Sequence, residues 1–247
     1  MKLTFLGTRG NIKARTGRHG MHSSMKVSYY GEGVIIDCGE DWLGEVDAWD
    51  AQAIVVTHAH PDHAFGLKEG APCPVYATGA SWEKMESLDI EDRRTMPTRE
   101  PIEISGGRGS PGMTFEAFPV LHSTRAPAVG YRITAGRVSI FYVPDVAWIN
   151  DRTAALSGVN LYVGDGATVT RSMVRKPGDV IIGHVPIRTQ LTWCQKSGVP
   201  RAIFTHLGSQ IIEGNEAEWA AKIREFADDR DVNEVEIAYD GLDVVLR

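Results

Sequence analysis

The stretch Ile54-Val-Val-Thr-His-Ala-His-Pro-Asp-His63 sets an apolar strand directly before four potential metal ligands, His58, His60, Asp62 and His63. A short run of β-branched residues reads as a strand buried on both faces, ending here at Thr57. Imidazole and carboxylate donors together suit borderline cations such as Zn²⁺, Mn²⁺ or Fe²⁺. Alternating positions such as His58 and His60 can converge on one ion, while Asp62 and His63 turn towards a second. Three of the chain's eight histidines fall in this one stretch, which a polar loop of chance composition does not explain.

Further along, three ionisable residues each stand at the exit of an apolar strand. His122 follows Phe118-Pro-Val-Leu, Asp145 follows Ile140-Phe-Tyr-Val-Pro, and His206 follows Ala202-Ile-Phe-Thr. Singly, each is the kind of residue that satisfies a local turn. Together they complete the donors for two metal sites.

The chain has 247 residues, 26 basic and 32 acidic, a net charge of −6, and 43% hydrophobic residues. That is the composition of a globular protein with ample material for a core. The acidic balance argues against a general polyanion binder and leaves room for a local site for a small anionic substrate. No apolar run approaches the roughly 20 residues of a membrane span, and MKLTFLGTRG lacks the apolar core of a signal peptide. A cytoplasmic protein without membrane contact is expected. Cys38, Cys73 and Cys194 form an odd set without a C-x-x-C pair, which predicts buried free thiols rather than disulfides.

Strand patterns recur at 2–6, 25–30, 34–37, 53–57, 74–77, 113–120, 129–134, 138–143, 161–163, 180–182, 201–205 and 235–238, and helical patterns at 80–87, 187–196 and 216–228. In the last helix Trp219, Ile223 and Phe226 form an amphipathic stripe. The mixture predicts a layered α/β protein with two sheets, a single domain over 1–247, and a polar excursion at 81–112 that could serve as a lid.

The pattern His-x-His-x-Asp-His after a strand, followed by a distant His, Asp and His, resembles the metallo-β-lactamase-fold hydrolase superfamily. The likeness runs from the Leu6-Gly-Thr turn to Ala238-Tyr-Asp-Gly. The resemblance implies a four-layer αββα sandwich and two divalent metal ions, zinc or manganese. It assigns His58, His60 and His122 to the first ion and Asp62, His63 and His206 to the second, with Asp145 bridging. Asp37, which ends the strand Val34-Ile-Ile, matches a buried family aspartate that orients a ligand histidine.

Fold alone does not choose among the lactam, thioester, lactone, phosphodiester and oxidation chemistries of this family. The segment from Phe118 to Tyr131 resembles the third-ligand region of the tRNA 3′-processing endonucleases (ribonuclease Z) and their small-phosphodiester relatives. Gly183-His184 resembles the catalytic histidine of those relatives, although Val-Pro follows it where they carry Ser-Thr. Leu161-Tyr-Val-Gly-Asp-Gly-Ala-Thr168 stands where they carry its acidic partner, which makes Asp165 the candidate. Arg125 is a candidate phosphate clamp, and Asp240 resembles a C-terminal residue that packs near the site. The basic segment of Arg9, Lys13, Arg15, Arg18, His19 and His22 reads either as a solvated loop or as a phosphate grip.

Only 22 residues separate His122 from Asp145, too few for the tRNA-gripping arm of ribonuclease Z. The expectation is therefore a dinuclear phosphodiesterase acting on a small or cyclic phosphate ester through a metal-bridging hydroxide. Asp62 would orient the nucleophile and His184, paired with Asp165, would act on the leaving oxygen. The alternatives are a tRNA 3′-processing endonuclease, disfavoured by the missing arm, and a lactone or thioester hydrolase. Homodimerisation is expected from the family alone.

Overall fold

The structure, a computed structural model, describes residues 1–104 and 111–247. The first sheet holds β1 (Lys2–Gly7), β2 (Ser24–Tyr29), β3 (Glu32–Ile36), β4 (Ala53–Val55), β5 (Val75–Ala77), β6 (Arg93–Thr95) and, from the other end of the chain, β15 (Asp243–Val245). Their order is β15-β1-β2-β3-β4-β5-β6. The second sheet holds β7 (Ile102–Ile104), β8 (Met113–Leu121), β9 (Ala128–Ala135), β10 (Val138–Tyr142), β11 (Trp148–Ile149), β12 (Leu161–Asp165), β13 (Arg201–Thr205) and β14 (Glu234–Ile237). Its order is β11-β8-β9-β10-β12-β13-β14, with β7 paired to β8. The helices are α1 (Pro61–Ala64), α2 (Gly79–Lys84), α3 (Arg152–Leu156), α4 (Ile187–Ser197), α5 (Ser209–Ile212) and α6 (Glu216–Asp228).

Period-two alternation builds the layers. In β4, Ala53 and Val55 face an inner core while Ile54, and Val56 just past the strand, join an outer one. In β10 and β13, Ile140, Tyr142 and Ile203 enter the same inner core, and Phe141, Ala202 and Phe204, with Val143 just past β10, face the opposite way. The inner core thus joins the two sheets. The outer cores take helical residues, Met85 after α2 on one side and Ile187, Leu191, Ile223 and Phe226 from α4 and α6 on the other. Strands apolar on both faces are what this burial requires. The result is the expected αββα sandwich. Helix α6 begins at Asn215, whose side chain accepts from the amides of Ala217 and Glu218, the usual service of an N-cap.

Strand direction then places the site. β3 and β4 are parallel, so Asp37 and the segment from Thr57 to His63 leave the first sheet at one edge. In the second sheet β8 and β10 are both antiparallel to β9, while β12 and β13 are parallel to β10. Hence β8, β10, β12 and β13 run the same way, and His122, Asp145, Asp165 and His206 all emerge at a common edge. Carboxyl ends of strands are where open α/β sheets gather their ligands.

The structure differs from the sequence reading in several places. Residues 180–182 are not a strand; Ile182 makes only an isolated bridge to Arg175. β6, β7, β11 and β15 escaped the pattern because two or three residues are too few to establish alternation. The described part of the 81–112 excursion supplies β6 and β7, and residues 105–110 of it lie outside the described residues. β9 and β10 are joined by Gly136 and Arg137 alone, with Gly136 at φ +60°. Among the described residues no helix is long and apolar enough to cross a membrane.

Candidate metal centre

The first half of the site is local. After β4 the chain passes through His58 to an extended His60, and Pro61 opens α1, which carries Asp62 and His63. Proline suits a first helical position because its missing N–H has no partner there in any case. Asp37 sits in the left-handed region at φ +64°. Its carboxylate accepts from the Thr57 amide (2.7 Å) and hydroxyl (2.9 Å) and lies 2.9 Å from His63 Nδ1. Thr57 Oγ1 is also 3.0 Å from His58 Nδ1. A hydroxyl has one hydrogen, so when Thr57 donates it to Asp37 it accepts from His58 Nδ1–H. Both rings are thereby set in the tautomer that leaves Nε2 free as a metal donor.

The second half comes from separate strands. His122 Nδ1 faces the Gly183 carbonyl at 3.3 Å, which leaves its Nε2 free in the same way. His58 Nε2 is 3.0 Å from His60 Nδ1, which is 3.3 Å from His122 Nε2. Two nitrogens at about 2.0–2.1 Å from a tetrahedral ion lie about 3.3 Å apart. Asp62 Oδ2 is 3.1 Å from His206 Nε2 and 3.4 Å from His63 Nε2. Asp145 faces both sets: Oδ2 is 3.2 Å from His58 Nε2 and 2.8 Å from His63 Nε2, and Oδ1 is 3.1 Å from His206 Nδ1.

This donor set fits cations. His63 Nε2, Asp145 Oδ1 and His206 Nδ1 are buried and lack hydrogen-bond partners, a costly state for polar atoms. Burial opposes ionisation of Asp62 and Asp145, yet the histidines around them hold both carboxyls well below the usual range. Burial, together with His63, keeps His58 neutral, and burial with His122 brings His60 down to about 4. Ionised carboxylates and the neutral rings of His58 and His60 are the forms that bind a metal, whereas Asp62, Asp37 and Asp145 raise the His63 pKa against its burial, so that a cation there would take the place of its proton. The groups His58, His60, His122, Asp145 and Asp62, His63, Asp145, His206 each bring their donor atoms within 4.8 Å of one another.

Beside them stands a pair of a different kind. His184 Nδ1 is 2.8 Å from Asp165 Oδ2 and 3.2 Å from Asp145 Oδ1. Burial disfavours the charged ring, but Asp165 and then Asp145 outweigh it and raise its pKa to about 9. Cations at the neighbouring ligands would pull that value back towards neutrality. Asp165 is fixed by the amides of Val146 and Ala167, and Gln190 grips its main chain on both sides.

A family described as "Beta-lactamase superfamily domain" matches residues 33–207, most of the chain. The chain belongs to that superfamily. It is a metal-dependent hydrolase of the metallo-β-lactamase fold. Ribonuclease Z of Mycobacterium bovis is 22% identical over 90% of this chain and 91% of its own length. The metallo-β-lactamase-fold protein YhfI of Bacillus subtilis superposes with a TM-score of 0.75 at 18% identity, covering 98% of both chains. A diphosphatase of the PhnP family gives a TM-score of 0.71 at 21% identity, over 98% of this chain and 96% of that one. The superfamily and its ribonuclease Z and PhnP branch are thus the relatives of this hydrolase.

In this superfamily member the outer candidates fall less tightly. Asp240 lies away from the ligands: it accepts from Thr8 Oγ1 at 2.7 Å and from the amides of Gly20 and Met21. It ties down the N-terminal loop, and Thr8–Gly10 of that strap pairs with Leu207, next to His206. Arg125 is exposed, three residues past His122. The basic N-terminal segment is largely neutralised within the fold. Arg9 and Arg15 both meet Asp41, and Arg18 and His19 meet Glu216. Thr57 and Gln190 are the supporting residues that sequence reasoning missed. For Gln190 the signal was present, a polar residue on the apolar face of the 187–196 pattern.

Proposed function

We propose that this hydrolase is a dinuclear phosphodiesterase acting on a small or cyclic phosphate ester. The observation that carries the reading is the His184–Asp165 pair set beside a ligand set suited to two ions. His58, His60 and His122 would hold one ion, Asp62, His63 and His206 the other, and Asp145 would serve both; zinc or manganese suits these donors. Bound divalent ions supply Lewis acidity, making water nucleophilic at neutral pH and neutralising charge that develops on phosphoryl oxygens.

The chain's own residues do the rest. Asp37 and Thr57 hold His63 and His58 in their ligand tautomers. Asp62 orients the attacking water by accepting a hydrogen bond from it. With Nδ1 held by Asp165, His184 has Nε2 to present to substrate. As the imidazolium it stabilises the phosphoryl oxygens or gives its proton to the leaving oxygen as the phosphorus–oxygen bond breaks. Asp165 offsets the ring's charge until the proton leaves.

A tRNA 3′-processing reading draws on the M. bovis ribonuclease Z match along 90% of this chain. Against it stands the β9–β10 connection, where the two residues Gly136 and Arg137 leave no room for a gripping arm. The test counts metals per chain and follows hydrolysis of bis-p-nitrophenyl phosphate with added Zn²⁺ or Mn²⁺, in the native chain and in Asp145→Ala and His184→Ala. Two metals, metal-dependent turnover and its loss in both variants are expected. Two metals without phosphodiester turnover would overturn the reading, and turnover of lactones or thioesters instead would replace it. Strongly salt-dependent binding of precursor tRNA would favour the nuclease.

A further inference from the structure

Ala167, Thr168, Arg171, Arg175, Ser209 and Gln210 line a cleft of about 520 Å³. Its walls start within a few residues of the metal centre, two after Asp165 and three after His206. The Gly208 amide donates to the Gly166 carbonyl and closes these two strand ends together. The other wall is tied to His184 itself, whose carbonyl accepts from the Met173 amide at 3.0 Å, while the Gly183 amide bonds to the His122 carbonyl at 2.8 Å.

The chemistry of the cleft is one-sided. Residues 168–176 carry three cations and no acid, in a chain of net charge −6. Among the described residues no acidic one lines the cleft. Lys176 faces Asp179 at 3.8 Å, but Arg171 and Arg175 are exposed and have no side-chain partner among the described residues. The contrast with the N-terminal loop is direct, since its arginines are held by Asp41 and Glu216. Gln210 Oε1 is occupied by Thr168 Oγ1 and the Val169 amide, which leaves its own N–H groups as donors. Two free guanidinium groups, an amide and a serine hydroxyl make a surface of hydrogen-bond donors, the complement of a phosphate.

We propose that this cleft binds a second phosphate group of the substrate, one beyond the scissile ester, with Arg171 and Arg175 as specificity-determining residues. The assignment rests on the phosphodiesterase reading and narrows it to small esters that carry an additional phosphate, such as nucleoside bisphosphates.

The experiment compares two esters that differ by one phosphate, thymidine 5′-(p-nitrophenyl phosphate) and its 3′-phosphorylated form. In the metal-loaded native protein the added phosphate should lower KM about tenfold with little change in kcat, the size expected of charge-assisted hydrogen bonds. In Arg171→Gln/Arg175→Gln the kcat/KM ratio of the two esters should fall to about one, and Arg171→Lys/Arg175→Lys should restore part of it. Equal kcat/KM for both esters in the native protein, or a preference that survives the glutamine pair, would overturn the assignment. A second readout needs no turnover. Thymidine 3′,5′-bisphosphate, titrated calorimetrically into metal-free protein, should bind about tenfold more weakly to the glutamine variant. If neither ester is hydrolysed while this difference stands, the phosphodiesterase reading fails and the phosphate cleft survives. Equal binding to both proteins would remove the cleft. Binding of a ten-nucleotide DNA strand but not of the bisphosphate would replace the small ligand by a nucleic acid track.

Discussion

The two halves of the candidate metal centre are built by different means. On the first sheet, His58, His60, Asp62 and His63 come from six consecutive residues, and a side-chain network of Asp37 and Thr57 sets the rings of His58 and His63. On the second sheet, His122, Asp145 and His206 come from the ends of three strands, and sheet register brings them together. The first half needs a local turn and one buried carboxylate. The second needs a whole core to be packed before its ligands meet. Changes that strike one half or both should therefore have distinct signatures.

Asp145→Ala strikes both, because its carboxylate faces both ligand sets. Loss of several kcal/mol of charge stabilisation predicts a fall in kcat/KM of about 10³ or more, with loss of bound metal seen by elemental analysis. Retention of both metals would mean that the two sets are independent.

Phe204→Ala strikes the second half alone. Phe204 is fully buried in the outer core, two residues before His206. Removing such a ring costs about 3–5 kcal/mol, measured as a lower urea midpoint. Because His206 directly follows the same strand, an ion at the set proposed from Asp62, His63 and His206 should be lost before one at the set proposed from His58, His60 and His122. Equal loss of both would show that the halves share one cooperative unit.

Asp37→Ala strikes the first half through its network. The Thr57 hydroxyl and His63 Nδ1 lose their common acceptor, and metal affinity should fall about 10–100-fold in a competition titration with a chelator. Thr57→Val removes the His58 arm and one hydroxyl donor to Asp37 but leaves the Asp37–His63 contact, and should cost less. The reverse order would place the network's weight on Thr57.

This contrast also explains how much could be read from the sequence. The His58–His63 motif is legible because its ligands are adjacent and their spacing is itself the signal. His122, Asp145 and His206 are legible only as single residues at strand exits, and their convergence follows from strand direction. Gln190 and Thr57 act through hydrogen bonds to main chain and ring nitrogens, which leave no spacing pattern. A layered α/β protein with two sheets was legible from the recurring strand and helix patterns, and the four-layer order from the family resemblance. The short edges β6, β7, β11 and β15 were not, because their pairing is set by neighbouring strands rather than by their own composition.

The smallest effect concerns His22, which belongs to the first half through Asp41 and the Trp42 ring nitrogen. Burial, with the Arg9 charge beside it, brings the His22 ring down to about 4, against about 6.5 in an unfolded chain. Between these values the unfolded chain takes up a proton that the folded chain refuses. Stability is therefore full above about pH 6.5, falls as pH drops towards 4 and levels off below. One proton sets a slope of at most about 1.4 kcal/mol per pH unit. In metal-free protein, His22→Asn should flatten the decline of the urea midpoint from about pH 6 to about pH 4.5. The ligand histidines are common to both proteins and cancel in the comparison. An unchanged slope would mean that Asp41, 3.2 Å from the ring, holds His22 protonated in the fold. Because His22 packs on the first sheet's side of the site, acid should raise amide exchange at 38–42 before it does so in β13.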